Sequence, residues 1–453
     1  MKLDGKTILI FGMGVSGKGV ARLLRGKNVR MVLYDANPDL DKAALLNELQ
    51  LPADTEILTG DLTKESFAGI DILALSPGIS INAPFVKLAQ ECGVTVLGEV
   101  EIAYEISKGR LAAITGTNGK TTTTALTGEI MKAAFEKVFV VGNIGTSFAS
   151  VADETTEDCV IVAEISSFQL ESMAEFHPEV TAILNLTPDH LDRHGTFENY
   201  ALTKLSITKR QSSNETCVIN YDDAYLREIS RDITPKICYF SISEDLPEGI
   251  VLDGDVITYK KDGQKIPIIG RYDMNLLGDH NVENVMAACG IAIAMGVDIL
   301  TIAEVVRNFK AVPHRIEYVC TKKDVRYYND SKGTNTDAAA KAIGSMTSPT
   351  VLIAGGYDKG VDFTDWINGF NGKVKDMILI GQTAEKIKET ALACGFTALH
   401  MCEDLKEAVT LASELAKPGD AVLLSPACAS WGQFQNYEQR GDLFKEYANA
   451  LQE

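Results

Sequence analysis

No apolar run in this 453-residue chain is long enough to cross a bilayer. The longest, Val285–Val297, has 13 residues, against ~20 for a membrane-spanning helix. Positive charge is scarce: 43 Lys and Arg stand against 62 Asp and Glu, a formal net charge of −19. That excludes a protein that coats nucleic acid or an anionic membrane, because phosphate binding on that scale needs clustered cations. It leaves room for an anionic small substrate in a local basic pocket. The nine cysteines form no C-x-x-C pair and no metal-like spacing. Several, Cys159 and Cys289 among them, lie in apolar stretches and read as reduced core thiols of a cytoplasmic protein. The N-terminal segment has glycines and Lys18 within its apolar stretch and no small-x-small cleavage site. It reads as a strand and turn rather than a leader.

What is present is ordinary globular composition, with 45% hydrophobic and 23% charged residues, enough to bury several cores. Apolar runs of four to six residues alternate with amphipathic, helix-length segments. That is the pattern of βαβ units around parallel sheets, and the fold class expected is α/β. Three domains are expected, over 1–98, 99–311 and 312–453. The first has strands at Thr7–Phe11, Arg30–Tyr34 and Asp71–Leu75, with a helix at Lys18–Arg25. The second has strands at Leu111–Thr115, Lys137–Val141, Cys159–Ile165 and Val180–Leu186. Its Cys238–Gly270 stretch, broken by DLPEG, DGD and KDG, reads as antiparallel hairpins. The third has strands near Val325–Asn329, Val351–Ala354, Met377–Ile380 and Ala421–Leu424.

The strongest chemical signal is Gly116-Thr117-Asn118-Gly119-Lys120-Thr121-Thr122, between a strand and a helix. Glycines let backbone N–H groups crowd around phosphate oxygens. The helix N-terminus and Lys120 add favourable charge, and a Thr hydroxyl can bind Mg²⁺. Ile114 stands where the usual loop begins with Gly, so this is a shortened variant. Gly12, Gly14 and Gly17, followed by Asp35, resemble a dinucleotide fingerprint. A tight turn that binds nothing, a nicotinamide site and a nucleotide-bearing substrate all remain open for it. Glu164 ends an apolar run, where a carboxylate can hold Mg²⁺ by oxygen. His190 reads equally as a cap or surface histidine, and Lys204 as a solvated helix face. Asn281 reads as a helix cap or a nucleotide contact. Arg315, Asp330 and Lys332 place charges at block edges, where the Arg and Lys suit phosphate or carboxylate and any of the three reads equally as an ordinary surface charge. Cys428 lacks the His arrangement a thiol nucleophile would need.

Taken in order, GTNGKTT, GNIG at 142–145, EISSFQLE at 164–171, TPDHLDRHG at 187–195, HNVEN at 280–284, PHR at 313–315 and NDSKGTN at 329–335 resemble the Mur ligase family. The likeness covers essentially the whole chain. SPGI at 76–79 and SPACAS at 425–430, with NYEQRG at 436–441, resemble the member that joins D-glutamate to UDP-N-acetylmuramoyl-L-alanine. The central motifs are common to the whole family, folylpolyglutamate synthases included. The resemblance implies a Rossmann-like domain for UDP, a central P-loop ATPase-like parallel sheet with a small antiparallel portion, and a C-terminal Rossmann-like domain that receives the amino acid. It implies that residues 116–122 hold the ATP phosphates. Thr121 and Glu164 would hold one Mg²⁺, and His190 and Lys204, the latter as a carbamate, a second. Asn281, Arg315, Asp330 and Lys332 would serve the nucleotide. Ser16, Asp35, Ser76 and Asn143 would serve the UDP-sugar, and Thr334, Lys359, Ser430 and Tyr437 would receive D-glutamate. Lys120, His190 and Lys204 are the expected catalytic groups. Two residues depart from the family: Tyr437 where Phe is usual, and Gly432 where Asp is frequent. A cytoplasmic monomer is expected. The rival readings are a nicotinamide oxidoreductase, which leaves GKTT unexplained, and a nucleotide-gated binding protein that performs no ligation.

Overall fold

The computed structural model describes residues 3–143, 146–310, 313–358 and 360–452. The chain forms two compact units. One comprises Met1–Arg271 with Glu283–Arg307, and the other Tyr272–Val282 with Asn308–Glu453.

The first unit holds two sheets. Strands β1 (Thr7–Phe11), β2 (Arg30–Asp35), β3 (Glu56–Thr59), β4 (Ile72–Leu75) and β5 (Thr95–Gly98) are all parallel, in the order β3-β2-β1-β4-β5. These strands read as continuous apolar runs because both faces are covered. Successive side chains point to opposite faces. Ile8, Ile10, Leu33, Ile72 and Ala74 join one core with Val20, Ala21 and Leu24 of the helix Val15–Leu24. Leu9, Val32, Leu73 and Leu75 join another, with Val86 and Ala89 of the helix Pro84–Glu91. The order reverses beside β1, so the loops after β1 and β4 open at a switch point, where α/β sheets bind ligands.

The second sheet comprises β6 (Arg110–Thr115), β7 (Val138–Gly142), β8 (Val160–Glu164), β9 (Val180–Ile183), β10 (Thr216–Asn220), β11 (Lys236–Ser241), β12 (Gly249–Asp253), β13 (Val256–Lys261) and β14 (Gln264–Gly270). Its order is β14-β13-β12-β11-β10-β9-β6-β8-β7. The hairpin expectation for Cys238–Gly270 holds only for β12, β13 and β14, which are antiparallel. β11 is a parallel strand beside β10, and β12 runs parallel to it. A β-rich segment betrays its strands, but not which distant strand it will join. β6 lies between β8 and β9, which makes its carboxyl end the switch point of this sheet.

The second unit holds β15 (Glu317–Lys322), β16 (Val325–Asn329), β17 (Thr350–Ala354), β18 (Val374–Leu379), β19 (Leu399–Met401) and β20 (Ala421–Leu424). Their order is β15-β16-β20-β17-β18-β19. All neighbours are parallel except β15 with β16, so the sheet is mixed at that edge. Alternation again feeds two cores, Leu352, Ala354 and Leu423 on one face and Val351, Ile353 and Val422 on the other. Among the described residues no helix is long and apolar enough to cross a membrane.

Candidate active site

Three loops leave the carboxyl ends of β6, β8 and β9 together. The first is the glycine-rich loop. Gly119, at φ +85°, is the cap residue before the 15-residue helix Lys120–Ala134. The loop is pinned from β9: Asn185 O accepts from Thr117 N at 2.9 Å, and Asn185 Oδ1 accepts from Asn118 N at 2.8 Å. Thr117 Oγ1 lies 3.0 Å from Tyr200 Oη and accepts from Thr187 N at 3.0 Å. Thr121 and Thr122, in the first turn of the helix, are buried.

Lys120 Nζ curls back over the loop and donates to Gly116 O and Thr117 O, both at 2.8 Å. Lys204 Nζ donates to the same Gly116 O at 2.9 Å. Two lysines therefore converge on one carbonyl oxygen. The solvated-face reading of Lys204 is wrong: the residue is 2% exposed. Its helix, Phe197–Leu205, presents Tyr200 and Lys204 one turn apart on a single face, and the amine sits 4.8 Å over the Tyr200 ring. Burial first, and the Lys120 charge second, hold the Lys204 amine well below the ordinary lysine range, although Asp189 and Glu164 pull the other way.

Glu164 is the last residue of β8 and is 2% exposed. Asn143 Nδ2 donates to its Oε1 at 3.0 Å, while the buried Oε2 has no hydrogen-bond partner. A carboxylate oxygen left this way is costly unless something positive meets it. His190 stands at φ +51° ahead of the short helix Leu191–His194. Its ring lies 4.7 Å from Phe168, and its Nε2 is 3.5 Å from Asp189 Oδ2. Among the described residues no three His, Cys, Asp or Glu side chains gather as a metal group. The expected metal set draws only Glu164 and His190 from those types.

In the first sheet, Asp35 ends β2 and its Oδ2 accepts from Met13 N, in the turn after β1, at 3.0 Å. Gly17 is required there: a Cβ would come 1.8 Å from Gly12 O. Ser16 lies in the first turn of the next helix, and Ser76 directly follows β4. The turn, Ser16, Asp35 and Ser76 thus share one end of the sheet.

In the second unit, Asp330 follows β16 and accepts from Ser425 Oγ at 2.7 Å. Burial pushes its carboxyl up to about 7, against the hydroxyl and the nearby Arg315 and Arg440. Arg315 Nε is buried without a hydrogen-bond partner. Lys332 Nζ lies 5.4 Å from the Tyr437 ring centre, and Thr334 follows in the same loop. Ser430 is buried after β20. Arg440 is fully buried and ties these loops together, donating to Ser331 Oγ, Ser331 O and Cys428 O. Asn281 is not a cap: the helix Asp279–Ala294 starts two residues earlier, and Asn281 Nδ2 donates to Leu277 O at 2.7 Å. Lys359 lies outside the described residues.

Comparison with known proteins gives three family-model matches: "Mur ligase MurD-like, N-terminal domain" over residues 6–98, "Mur ligase middle domain" over 114–292, and "Mur ligase, glutamate ligase domain" over 314–428. The chain belongs to the Mur ligase family. A UDP-N-acetylmuramoylalanine–D-glutamate ligase of Lachnoclostridium phytofermentans is 47% identical over 453 residues, covering 100% of both chains. One of Lachnospira eligens is 48% identical, again covering 100% of both. Among solved structures, the Mur ligase fold is shared with UDP-N-acetylmuramate-alanine ligase MurC of Thermotoga maritima (TM-score 0.60, 16% identity, 98% of this chain and 99% of that one). It is shared also with a pseudomurein peptide ligase type C of Methanothermus fervidus (TM-score 0.57, 18% identity, 92% and 96%).

Tyr200, Asn185, Glu171, Arg193 and Arg440 had drawn no role from the sequence. Tyr200 carried a signal, lying four residues before Lys204 on a helix face. Glu171 and Arg193 sit inside the family motifs, but their partnership is visible only in the folded chain.

Proposed function

We propose that this Mur ligase joins D-glutamate to UDP-N-acetylmuramoyl-L-alanine at the expense of ATP, in peptidoglycan precursor synthesis. The observation that carries the reading is the end-to-end match, at 47–48% identity, to ligases of that name. The domain boundaries we adopt, near residues 98 and 311, fall between the three sheets.

A carboxylate is a poor acyl donor. In our reading the L-alanyl carboxylate attacks the γ-phosphorus of ATP, giving an acyl phosphate and ADP. The D-glutamate amine then attacks the acyl carbon, and phosphate leaves. The first step is mostly positioning and charge neutralisation. Gly116–Thr122 cradle the phosphates and Lys120 faces the transferred group. Asn281, Arg315, Asp330 and Lys332 are assigned to the nucleotide; the unpartnered Arg315 Nε supports this. Ser16, Asp35, Ser76 and Asn143 are assigned to the UDP-sugar. Thr334, Ser430 and Tyr437, with Lys359, are assigned to D-glutamate. Mg²⁺ would supply further neutralisation of phosphate charge. The unpartnered Glu164 Oε2 suits one ion together with Thr121, and His190 with a carbamylated Lys204 would hold another.

The deciding experiment is ADP release with UDP-N-acetylmuramoyl-L-alanine, with D-glutamate present, omitted, or replaced by L-glutamate. Sustained release is expected only with the D-isomer. Equal turnover without it, or a requirement for nicotinamide instead, would overturn the reading.

Glu164→Gln gives a separate check. The amide keeps an oxygen for Asn143 and replaces the carboxylate whose buried Oε2 has no hydrogen-bond partner. Its metal-free thermal midpoint is expected to equal or exceed the parent's, while the rise produced by Mg²⁺ and ATP shrinks. Turnover is expected to fall ~10²-fold or more, the scale seen when one group that meets developing charge is lost. An undiminished Mg²⁺-dependent rise would remove Glu164 from the metal site.

A further inference from the structure

Arg193 makes a set of contacts that the chemistry above does not use. Its Nη1 donates to Pro77 O at 3.1 Å and Gly78 O at 3.3 Å, and its Nη2 donates to Ile79 O at 2.8 Å. The rest of the fork grips Glu171: Nε at 3.1 Å and Nη2 at 2.5 Å from Oε2. A guanidinium has five N–H donors in a fixed plane, and these contacts use all five. The side chains of the pair are only 11% and 9% exposed. The guanidinium lies 4.3 Å over the Phe168 ring, which also meets the His190 ring at 4.7 Å and the His194 ring at 5.8 Å. All these residues belong to the first compact unit.

The geometry points to Arg193 as a positioning residue for the UDP-sugar. We infer that it clasps three successive carbonyls of the loop after β4 to the segment that carries His190. The loop begins at Ser76, so the clasp sets where that substrate-binding loop stands relative to the phosphate loop. This rests on the assignment of Ser76 to the UDP-sugar. The physical argument for a specific device, rather than generic glue, is the fork. Three carbonyls and a carboxylate cannot be met together by the compact ammonium of a lysine. Truncating one member of a nearly buried pair leaves the other charge unmet, so the loop would be released rather than merely loosened.

The test compares Arg193→Lys with Glu171→Gln, which weakens the same clasp from the other side. Hydrogen exchange in the 76–80 segment is expected to rise in both. The KM for UDP-N-acetylmuramoyl-L-alanine is expected to rise about tenfold or more, with kcat and the KM for ATP within about threefold, the pattern of lost substrate binding rather than lost chemistry. A merely structural role would lower the thermal midpoint and move both KM values together, and that result overturns the inference. So does a folded Arg193→Lys protein with unchanged KM and unchanged loop exchange. If Arg193→Lys does not fold, Glu171→Gln decides by the same criteria. Calorimetry with UDP separates the two readings. If the parent binds no UDP, the assignment of the first sheet fails, and with it this inference. If the parent binds UDP and the variants bind it equally well, the clasp alone fails.

Discussion

Lys120→Ala is expected to slow ADP formation by ~10²–10³ while leaving thermal unfolding nearly unchanged. The stability half of this expectation follows from where the amine sits. Lys120 donates to two carbonyls of its own loop, and the loop is held independently by Asn185 and Thr187. Removing one half-buried cation therefore removes local hydrogen bonds, each contributing about 1 kcal/mol net, from a loop that other residues also hold. The rate half follows from the chemistry. Charge on the transferred phosphoryl group is spread over its oxygens, and a fixed ammonium on the first turn of a helix, whose N-terminus already favours anions, costs no reorganisation when that charge develops. Initial rates at saturating ATP, together with a melting curve, check both halves. A folded variant that turns over near the parent rate would end the phosphate-loop reading. A variant that loses rate and melts much lower would show that Lys120 holds the loop rather than the phosphate.

The sequence made some of this legible and hid the rest for definite reasons. Buried strands announce themselves because both faces are apolar: Thr7–Phe11 has the expected bounds, and the strands expected near Val325–Asn329 and Ala421–Leu424 are there. The first helix begins at Val15, three residues before the expected Lys18. Glycine-rich turns pass into helices without a sharp composition change. Strand partners were less legible, because β11 reads alike whether it pairs parallel or antiparallel. Burial of a charged residue was the least legible feature. Lys204 lies on a helix whose neighbours Leu202 and Thr203 look like an ordinary mixed surface. Only the approach of Gly116 from a distant part of the chain, beside Tyr200 one turn away on the same helix, takes its amine out of water. The Asp330–Arg440 cluster is of the same kind, the loops after β16 and β20 meeting at one guanidinium.

That burial motivates the expectation that Lys204→Ala is nearly inactive and is partly restored by short-chain carboxylic acids. Gly116 O lies 2.8 Å from the Lys120 amine and 2.9 Å from the Lys204 amine. Burial, and after it the charge of Lys120 on the same oxygen, drives the Lys204 amine toward neutrality. The sign matters. A lysine whose folded pKa lies below its unfolded value costs stability at low pH, and that cost is relieved as pH rises through the range between the two. In the folded chain the neutral fraction rises as pH passes the lowered folded pKa, at the bottom of that range. A neutral amine is a nucleophile toward CO₂: the N–C bond forms, an electron pair of one C=O bond moves to its oxygen, and an N–H proton leaves to solvent. The product is an anion with two oxygen donors. Those are the hard ligands Mg²⁺ prefers, on a side chain longer than Asp or Glu. An ammonium can do none of this. Depleting CO₂ should therefore lower the parent's activity reversibly, most at low pH, and a carboxylic acid occupying the space vacated in Lys204→Ala should supply the missing oxygens. Full activity of Lys204→Ala in CO₂-depleted buffer would leave the lysine without a role. An inactive variant that no acid rescues, beside a parent indifferent to CO₂, would instead assign Lys204 to the phosphates as a cation, and the carbamate would be discarded.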